Sequence, residues 1–577
     1  MDTITGDQLR GMGIARLEEL CEQLRKKIIG YVMQNGGHLS SNLGMVELTV
    51  ALHRVFNFPK DKVIFDVGHQ CYAHKLLSGR EEGFTRLRKR GGLSGFPKRE
   101  ESEYDCYNTG HAGTSISAAL GIAKARDLAG DDYSVIAVIG DGSFNNGLVY
   151  EAFNSLKLLK TNILVIINDN GMSISPTVGS MHEYLDFLSE DSEEQDHKAR
   201  RAVIFERFGF DYDGVYDGNN LAEMIDRLTA IKEKLKHGSV ILHVLTKKGK
   251  GYSFCEENPE ATHGIGAKPA VSYMEYSEVL GKKLCALAER DKRIVAVTAA
   301  MTGSLGLSEF FEKFPQRAID VGICEEHASI LCAALASRGL KPYYAVYSTF
   351  LQRSFDEIII DICSQKLPVT LCIDRAGISG ADGETHQGVF DLSFLSFVPG
   401  LTIAVPKDAE EFAAMIEWSA GFNGPLAIRY PRASMHSFGE HGKIEDCSWE
   451  KLSEGDGNAV ILACGERAIA RAFAAVERLT SAGVRPSVVN VRFVKPLDEG
   501  LLSALGEQNI ITIEDNMAAG GFGALIAERF SGGDRRVKIF AYRDSFIEHG
   551  GVDELMDDYG LSVDEIVGYI RRIYEIG

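Results

Sequence analysis

Two short triplets constrain this chain most, Gly140-Asp141-Gly142 and Asn168-Asp169-Asn170, with residues 143–167 between them. Each closes an apolar run, 133–139 and 162–167, of the length of a buried strand. Between the runs, residues 145–159 carry apolar side chains at 148, 149, 152, 153, 156 and 159, a helical period. The pattern predicts a β-α-β unit with an acid and an amide at the carboxyl ends of two parallel strands. Open parallel sheets bind their ligands at that edge. Asp141 and Asn170 offer hard oxygen donors, which suit a Mg²⁺ that keeps part of its octahedral shell for phosphate and water. Either triplet alone is an ordinary turn; the pair, set across one β-α-β unit, is far more specific. Gly140-x-Gly142 begins like a dinucleotide fingerprint, but position 145 is Asn, so the third glycine is missing.

The rest of the 577 residues set the context. The composition, 45% hydrophobic and 25% charged, is globular, and the length predicts three or four domains. A net charge of −19 disfavours nucleic acid and anionic membranes as partners. The eleven cysteines form no C-x-x-C pair, and Cys332, Cys363, Cys372 and Cys464 sit in apolar runs. That usage fits core packing in a reducing compartment rather than disulfides or zinc. The N-terminal residues have neither a signal core nor a transit-peptide composition, and no apolar run reaches membrane-spanning length. The expectation is a soluble cytoplasmic protein.

Strand-like and helix-like runs alternate along the chain, which predicts an α/β fold of mainly parallel sheets flanked by helices. Three blocks separate, 1–270, 271–445 and 446–577. The second is expected to begin with a helix near Tyr273, with strands at 294–297, 343–347 and 369–373. In the third, strands are expected at 459–463, 487–491 and 510–513, with a helix at 468–482. Residues 180–201, acidic and then basic, read as a solvated surface loop, with a lid as the alternative.

Further motifs lie along the whole length: GGHLSSNLGMVELTVALH, FDVGHQCYAHKLLSGR, YNTGHAGTSISAALG, DVGICEEHA, YSTFLQR, IDRAGISGADGETHQG, RYPRAS, FVKPLDE and GGFG…FIEHGG. With GDG…NDNGMSIS they resemble the 1-deoxy-D-xylulose-5-phosphate synthase family of transketolase-like thiamine-diphosphate enzymes. The resemblance implies a three-domain transketolase-like architecture: a diphosphate-binding domain (1–270), a pyrimidine-binding domain (271–445) and a C-terminal domain (446–577). It implies a homodimer that uses thiamine diphosphate and Mg²⁺. The reaction implied is decarboxylation of pyruvate and carboligation of the two-carbon unit to D-glyceraldehyde 3-phosphate.

Matched motif by motif, the resemblance assigns the metal to Asp141, Asn170 and the Met172 carbonyl. It assigns cofactor contacts to His69, Gly110, His111, Ala112, Gly142, Ser143, Asn170, Met172, Lys248, Glu325 and Phe350. Glu325 is the activating acid: a buried carboxyl hydrogen-bonded to the cofactor's pyrimidine promotes the tautomer that removes the thiazolium proton. His38, His69, His386 and Asp382 are the other catalytic candidates, histidine being the side chain that titrates near neutrality. Tyr347, Arg353, Arg375, Arg432 and His263 are substrate candidates, and Arg375 and Arg432 suit a phosphate because guanidinium donors form a rigid fork. Taken singly, each of these residues has a plainer reading: a carboxylate complementing a helix dipole, a core phenylalanine, a surface ion pair.

Three departures from the family pattern stand out. Ala112 and Gly113 replace the family's two serines in GHSSTS, which removes two hydroxyls near the diphosphate; Thr114 or backbone amides of the turn are possible replacements. Asn219-Asn220 replaces a His-Asp pair. The connection after NDNGMSIS is shorter than in typical members. These leave open a related carboligase or transketolase with a different aldehyde acceptor, or a non-catalytic cofactor-binding paralogue.

Overall fold

The computed structural model describes residues 6–173, 176–189, 202–266, 276–432, 436–439, 443–533 and 535–576. The chain divides into two compact units, Met1–Val271 with Gly322–Cys324, and Ser272–Val321 with Glu325–Gly577.

The first unit is built on five parallel strands: β1 (Lys62–Phe65), β2 (Val135–Gly140), β3 (Leu164–Asp169), β4 (Phe210–Asp217) and β5 (Ser239–Leu245). Their order is β1-β2-β3-β5-β4. Alternation along the strands feeds two cores. Ile136, Val138, Leu164 and Ile166 face one; Val135, Ala137, Ile139, Val165 and Ile167 face the other. Burial on both faces is why β2 and β3 read as unbroken apolar runs. Each such side chain contributes roughly 1.5–3 kcal/mol of burial.

Both strands run further than the sequence pattern predicts, so that Gly140, Asn168 and Asp169 are their last residues. The helix expected from 145 starts at Gly147. Asn146 stops it earlier by capping, its side chain accepting from the Leu148 N–H. A separate single turn, Asp141–Phe144, carries the metal-ligand candidate.

One expectation is overturned in part. Within the predicted surface loop 180–201, Ser180–Ser189 is a helix. Leu185 and Leu188 are buried and Met181 and Tyr184 pack on the same core, a helical stripe that the flanking charge run obscures. Residues 190–201 lie outside the described residues, as does the 270/271 boundary.

The second unit holds two sheets. The larger contains β6 (Ile294–Thr298), β7 (Ala318–Asp320), β8 (Lys341–Tyr347), β9 (Thr370–Asp374), β10 (Thr402–Ala404) and β11 (Leu426–Arg429) in the order β10-β11-β9-β8-β6-β7, all parallel. Its seventh strand, Phe493–Lys495, pairs antiparallel with β10. The smaller sheet runs Glu450–Ser453, Ser487–Asn490, Ala459–Cys464, Asn509–Met517, Val537–Tyr542, parallel except for the first pair. Because a segment from beyond residue 446 completes the larger sheet, one apolar core includes Ile403 and Val405 together with Val460, Leu462, Val489 and Phe493. Among the described residues no helix is long and apolar enough to cross a membrane.

Candidate active site

In the first unit, Asp141 follows β2 directly. Its Oδ2 accepts from the Thr177 hydroxyl at 2.6 Å. Burial, and then the Asp169 carboxylate, push the Asp141 carboxyl up to about 7, against hydrogen bonds from Thr177 and the Asn170 backbone and the charge of Lys248. Its Oδ1 and the Asn170 Oδ1 are both buried with no hydrogen-bond partner among the described residues. Two orphaned hard oxygens on successive strand ends fit a Mg²⁺ ion, which would satisfy both and offset the cost of burying the carboxylate. The chemistry rests on one carboxylate and neutral oxygens, for no group of three or more His, Cys, Asp or Glu among the described residues could hold a metal.

The Met172 loop lies tight against the first triplet. A Cβ on Gly142 would sit 2.7 Å from the Ser173 Cβ, so only glycine lets the two loops approach this closely. Met172 bridges back to Pro176. Lys248, after β5, donates to the Ser173 carbonyl at 2.5 Å. Burial lowers its ammonium to about 8, with Asp141 and Glu260 opposing. A cavity of about 420 Å³ is lined by Asn170, Met172, Thr246 and Lys248, with Asp217 and Asn219 on its wall.

The histidine candidates of this unit converge. Ring centroids of His38 and His69 are 5.4 Å apart, of His69 and His263 5.1 Å, and of His38 and His263 5.6 Å. His263 Nδ1 is 3.3 Å from the Ser41 hydroxyl. Burial, followed by Lys248, His69 and His38, keeps its imidazolium form well below the usual range, so the ring is neutral at physiological pH. Asn42 ties the cluster together, its amide donating to the carbonyls of His38 and His69, both at 2.7 Å.

The glycine-rich turn Gly110–Ser115 differs from expectation. Its Gly113 and Ser115 amides donate to the buried Asp66 carboxylate at 2.8 and 3.0 Å, so those two amides do not replace the missing serine hydroxyls. The Thr114 hydroxyl leans on the His111 carbonyl at 3.4 Å. Asp66 also takes a hydrogen bond from the Ser143 side chain, which links this turn to the residue after the Gly140–Gly142 triplet. Ala112 is buried beside it.

In the second unit, Glu325 opens the helix Glu325–Ser337 and is 2% exposed. Burial pushes its carboxyl up to about 7, with Arg353 the main opposing charge. Arg353 Nη1 is 4.0 Å from Glu325 Oε2, an oxygen that has no hydrogen-bond partner among the described residues. Such a buried acid, with one oxygen unsatisfied, can hydrogen-bond a ring nitrogen of a bound group.

The aromatic and cationic candidates of this unit form one tier. Phe350 stacks on Tyr347 at 5.5 Å and meets His386 edge-on at 5.7 Å. The Arg375 guanidinium lies 3.6 Å from the centre of the Tyr347 ring. His386 Nδ1 is 2.8 Å from the Thr385 hydroxyl. Asp382 precedes the short 3₁₀ turn Gly383–Thr385 in the same loop. Arg432 follows β11, past the buried Arg429–Asp391 ion pair.

Comparison with known proteins gives the family. Residues 1–202 and 188–246 match a family model described as 1-deoxy-D-xylulose-5-phosphate synthase. Residues 272–436 match the pyrimidine binding domain of transketolase, and 448–566 its C-terminal domain. The 1-deoxy-D-xylulose-5-phosphate synthase of Clostridium acetobutylicum is 43% identical, over 98% of this chain and 98% of that one. The chain belongs to the 1-deoxy-D-xylulose-5-phosphate synthase family. The synthase of Desulforudis audaxviator is 44% identical over 97% of this chain and 95% of that one. A transketolase of Campylobacter jejuni aligns over 97% of this chain at 19% identity, with a TM-score of 0.46.

Against that family, the Asn219-Asn220 departure acquires structural work. Asn219 donates to the Gly44 carbonyl at 2.9 Å and accepts from the Lys247 N–H at 2.8 Å. Asn220 caps the helix Leu221–Lys234. Asn42, Asp66 and Thr177 were invisible as site residues in the sequence, since each acts through backbone atoms or a residue distant in the chain. Asn42 and Asp66 lay inside quoted motifs, GGHLSSNLG and FDVGHQ, but neither motif gave them a role.

Proposed function

We propose that this chain condenses pyruvate with D-glyceraldehyde 3-phosphate, with loss of CO₂, to give 1-deoxy-D-xylulose 5-phosphate. The observation that carries the reading is Glu325, a fully buried acid with an unsatisfied oxygen at the start of its helix. Thiamine diphosphate, when bound, supplies the electron sink that makes decarboxylation of a 2-oxo acid feasible.

The chain's own residues do the rest. Asp141, Asn170 and the Met172 carbonyl would hold Mg²⁺, and Lys248 with the Gly110–Ala112 turn, Gly142 and Ser143 would hold the diphosphate. Phe350 offers a ring face to the pyrimidine, and Glu325 holds or gives a proton at its ring nitrogen. His38, His69 and neutral His263 donate or accept protons at substrate oxygens. Tyr347 and Arg353 orient substrate, while His386 and Asp382 serve the acceptor's carbonyl and hydroxyls. Arg375 and Arg432 bind its phosphate.

We assign diphosphate binding to 1–270, pyrimidine binding to 271–445 and the C-terminal domain to 446–577. A cytoplasmic homodimer is part of this reading. All eleven cysteines are free, as in a reducing compartment. Ile330 and Ile360, on packed neighbouring helices, are 45% and 54% exposed and suit burial against a second copy.

The test is incubation with thiamine diphosphate, Mg²⁺, pyruvate and a panel of phosphorylated and unphosphorylated aldehydes. Mass spectrometry is expected to find deoxyxylulose phosphate as the main product, with stoichiometric CO₂. Absence of both products across buffers overturns the reading, and light scattering checks the dimer.

A further inference from the structure

Arg375 and Arg432 stand on different segments of the larger sheet, yet the same ion pair of the C-terminal sheet grips both segments. Asp515, in Asn509–Met517, and Arg467, in the helix Glu466–Thr480, are 3.0 Å apart, with side chains 6% and 11% exposed. Asp515 Oδ1 accepts from the Ile378 N–H at 3.0 Å and from the Tyr542 hydroxyl at 2.6 Å. Arg467 Nη1 donates to the Ile378 carbonyl at 2.6 Å, and its Nη2 to the Arg432 carbonyl at 2.8 Å. Both backbone groups of Ile378 are therefore tied to the pair.

The turn that follows Arg375 has no slack. Gly377 has φ +78°, and a Cβ there would sit 1.9 Å from Asp515 Oδ2. Arg375 itself has φ +56°, a conformation that a side chain of its kind holds only when its surroundings over-determine it. Asp374, whose Oδ1 accepts from the Arg375 N–H at 2.5 Å, and the Tyr347 ring hold Arg375 directly, while the Asp515 carboxylate and the Arg467 fork fix the turn at Gly377 and Ile378 that follows it. Two guanidinium groups capture a phosphate well only at a fixed spacing.

We propose that the Arg467–Asp515 pair is a positioning device that sets the spacing of Arg375 and Arg432 for the phosphate ester of the acceptor aldehyde. The inference rests on the phosphate-binding role given to those two arginines. It assigns the C-terminal sheet a part in acceptor selection, although neither member of the pair touches substrate.

The experiment uses the holoenzyme at saturating pyruvate. KM and kcat are measured for D-glyceraldehyde 3-phosphate and for unphosphorylated D-glyceraldehyde. Arg467→Met keeps the apolar stem and removes the fork. It is expected to raise KM for the phosphorylated aldehyde by roughly tenfold to a hundredfold, leaving the unphosphorylated aldehyde and pyruvate within about twofold. Arg467→Lys restores part of the loss, because one ammonium keeps Asp515 company but cannot span Ile378 and Arg432. Asp515→Asn, which keeps acceptors for Ile378 and Tyr542, gives a smaller shift in the same direction and stands in should Arg467→Met not fold. An unchanged KM for the phosphorylated aldehyde, or equal losses on both aldehydes, overturns the proposal. Arg375→Met and Arg432→Met run in parallel. If neither separates the two aldehydes, the phosphate reading itself falls; if they do and Arg467→Met does not, only the positioning role falls.

Discussion

Glu325 and Glu514 are two buried glutamates whose carboxyls are both pushed up to about 7 by burial, and their surroundings differ in one respect. In the C-terminal sheet, both Glu514 oxygens are taken, accepting from the Phe522 and Gly523 amides at 2.7 Å each. That carboxylate caps the helix Phe522–Arg529 and answers two of its orphan amides. Beside the larger sheet, Glu325 starts a helix too, but its Oε2 has no hydrogen-bond partner among the described residues. A raised pKa therefore does not separate these two acids; the unsatisfied oxygen does. Asp141 falls between the two, with Oδ2 held by Thr177 and Oδ1 open.

The strongest attempt to break this contrast is Glu325→Gln. Turnover of the holoenzyme is expected to fall by about 10²–10⁴-fold, with the folded state intact by circular dichroism. Retained turnover would place Glu325 with Glu514 as a structural acid. Thr177→Val probes the intermediate case: it removes the hydroxyl that orients Asp141 and is expected to raise the Mg²⁺ concentration for half-maximal activity by about 10–100-fold. An unchanged Mg²⁺ titration would mean that Asp141 does not hold the ion.

Glu514→Gln is expected to act in the opposite way to Glu325→Gln. Its amide turns a donor toward a buried N–H, so unfolding free energy at pH 8 falls by about 1–3 kcal/mol. Turnover per folded molecule is expected to stay within about twofold, since both Glu514 oxygens bond to the Phe522 and Gly523 amides, which are not site candidates. Urea denaturation and active-site titration read the two effects separately.

A pH-dependent effect follows from linkage. Glu325's folded-state pKa is raised from 4.5 to about 7, so the folded protein retains a proton that the unfolded chain releases. This group's contribution to stability therefore falls as pH rises from about 4.5 to about 7 and is flat above. Glu325→Gln removes that loss. The apoprotein variant is expected to gain on the natural protein steadily through this window, by about 3 kcal/mol at most. A gap that shrinks as pH rises would show the carboxyl to be ionised and satisfied in the fold.

Much of the fold was legible because strands buried on both faces must be apolar throughout. The expected strands at 294–297, 343–347 and 459–463 fall within or beside the observed Ile294–Thr298, Lys341–Tyr347 and Ala459–Cys464. The helix Ser180–Ser189 was missed because its short apolar stripe sits beside a charge run. The strand Phe493–Lys495 was missed because three residues carry no periodicity. Site residues that act with their own side chains lay in motifs. Thr177, Arg467 and Asp515 did not, and Asp66, though inside FDVGHQ, drew no role, because what they touch is backbone or side chains tens to more than a hundred residues away.

The sequence by itself determined the alternation of elements, the two triplets at strand ends, and the family, since these depend on local apolar pattern and short-range spacing. Only the tertiary structure decided which polar atoms are satisfied: that Asp66 occupies the Gly113 and Ser115 amides, that Glu514 is filled and Glu325 is not, and that Arg467 reaches the carbonyl of Arg432 and that of Ile378, past Arg375. Whether a buried oxygen has a partner depends on where distant segments come to rest, and no window of sequence contains both halves of such a bond.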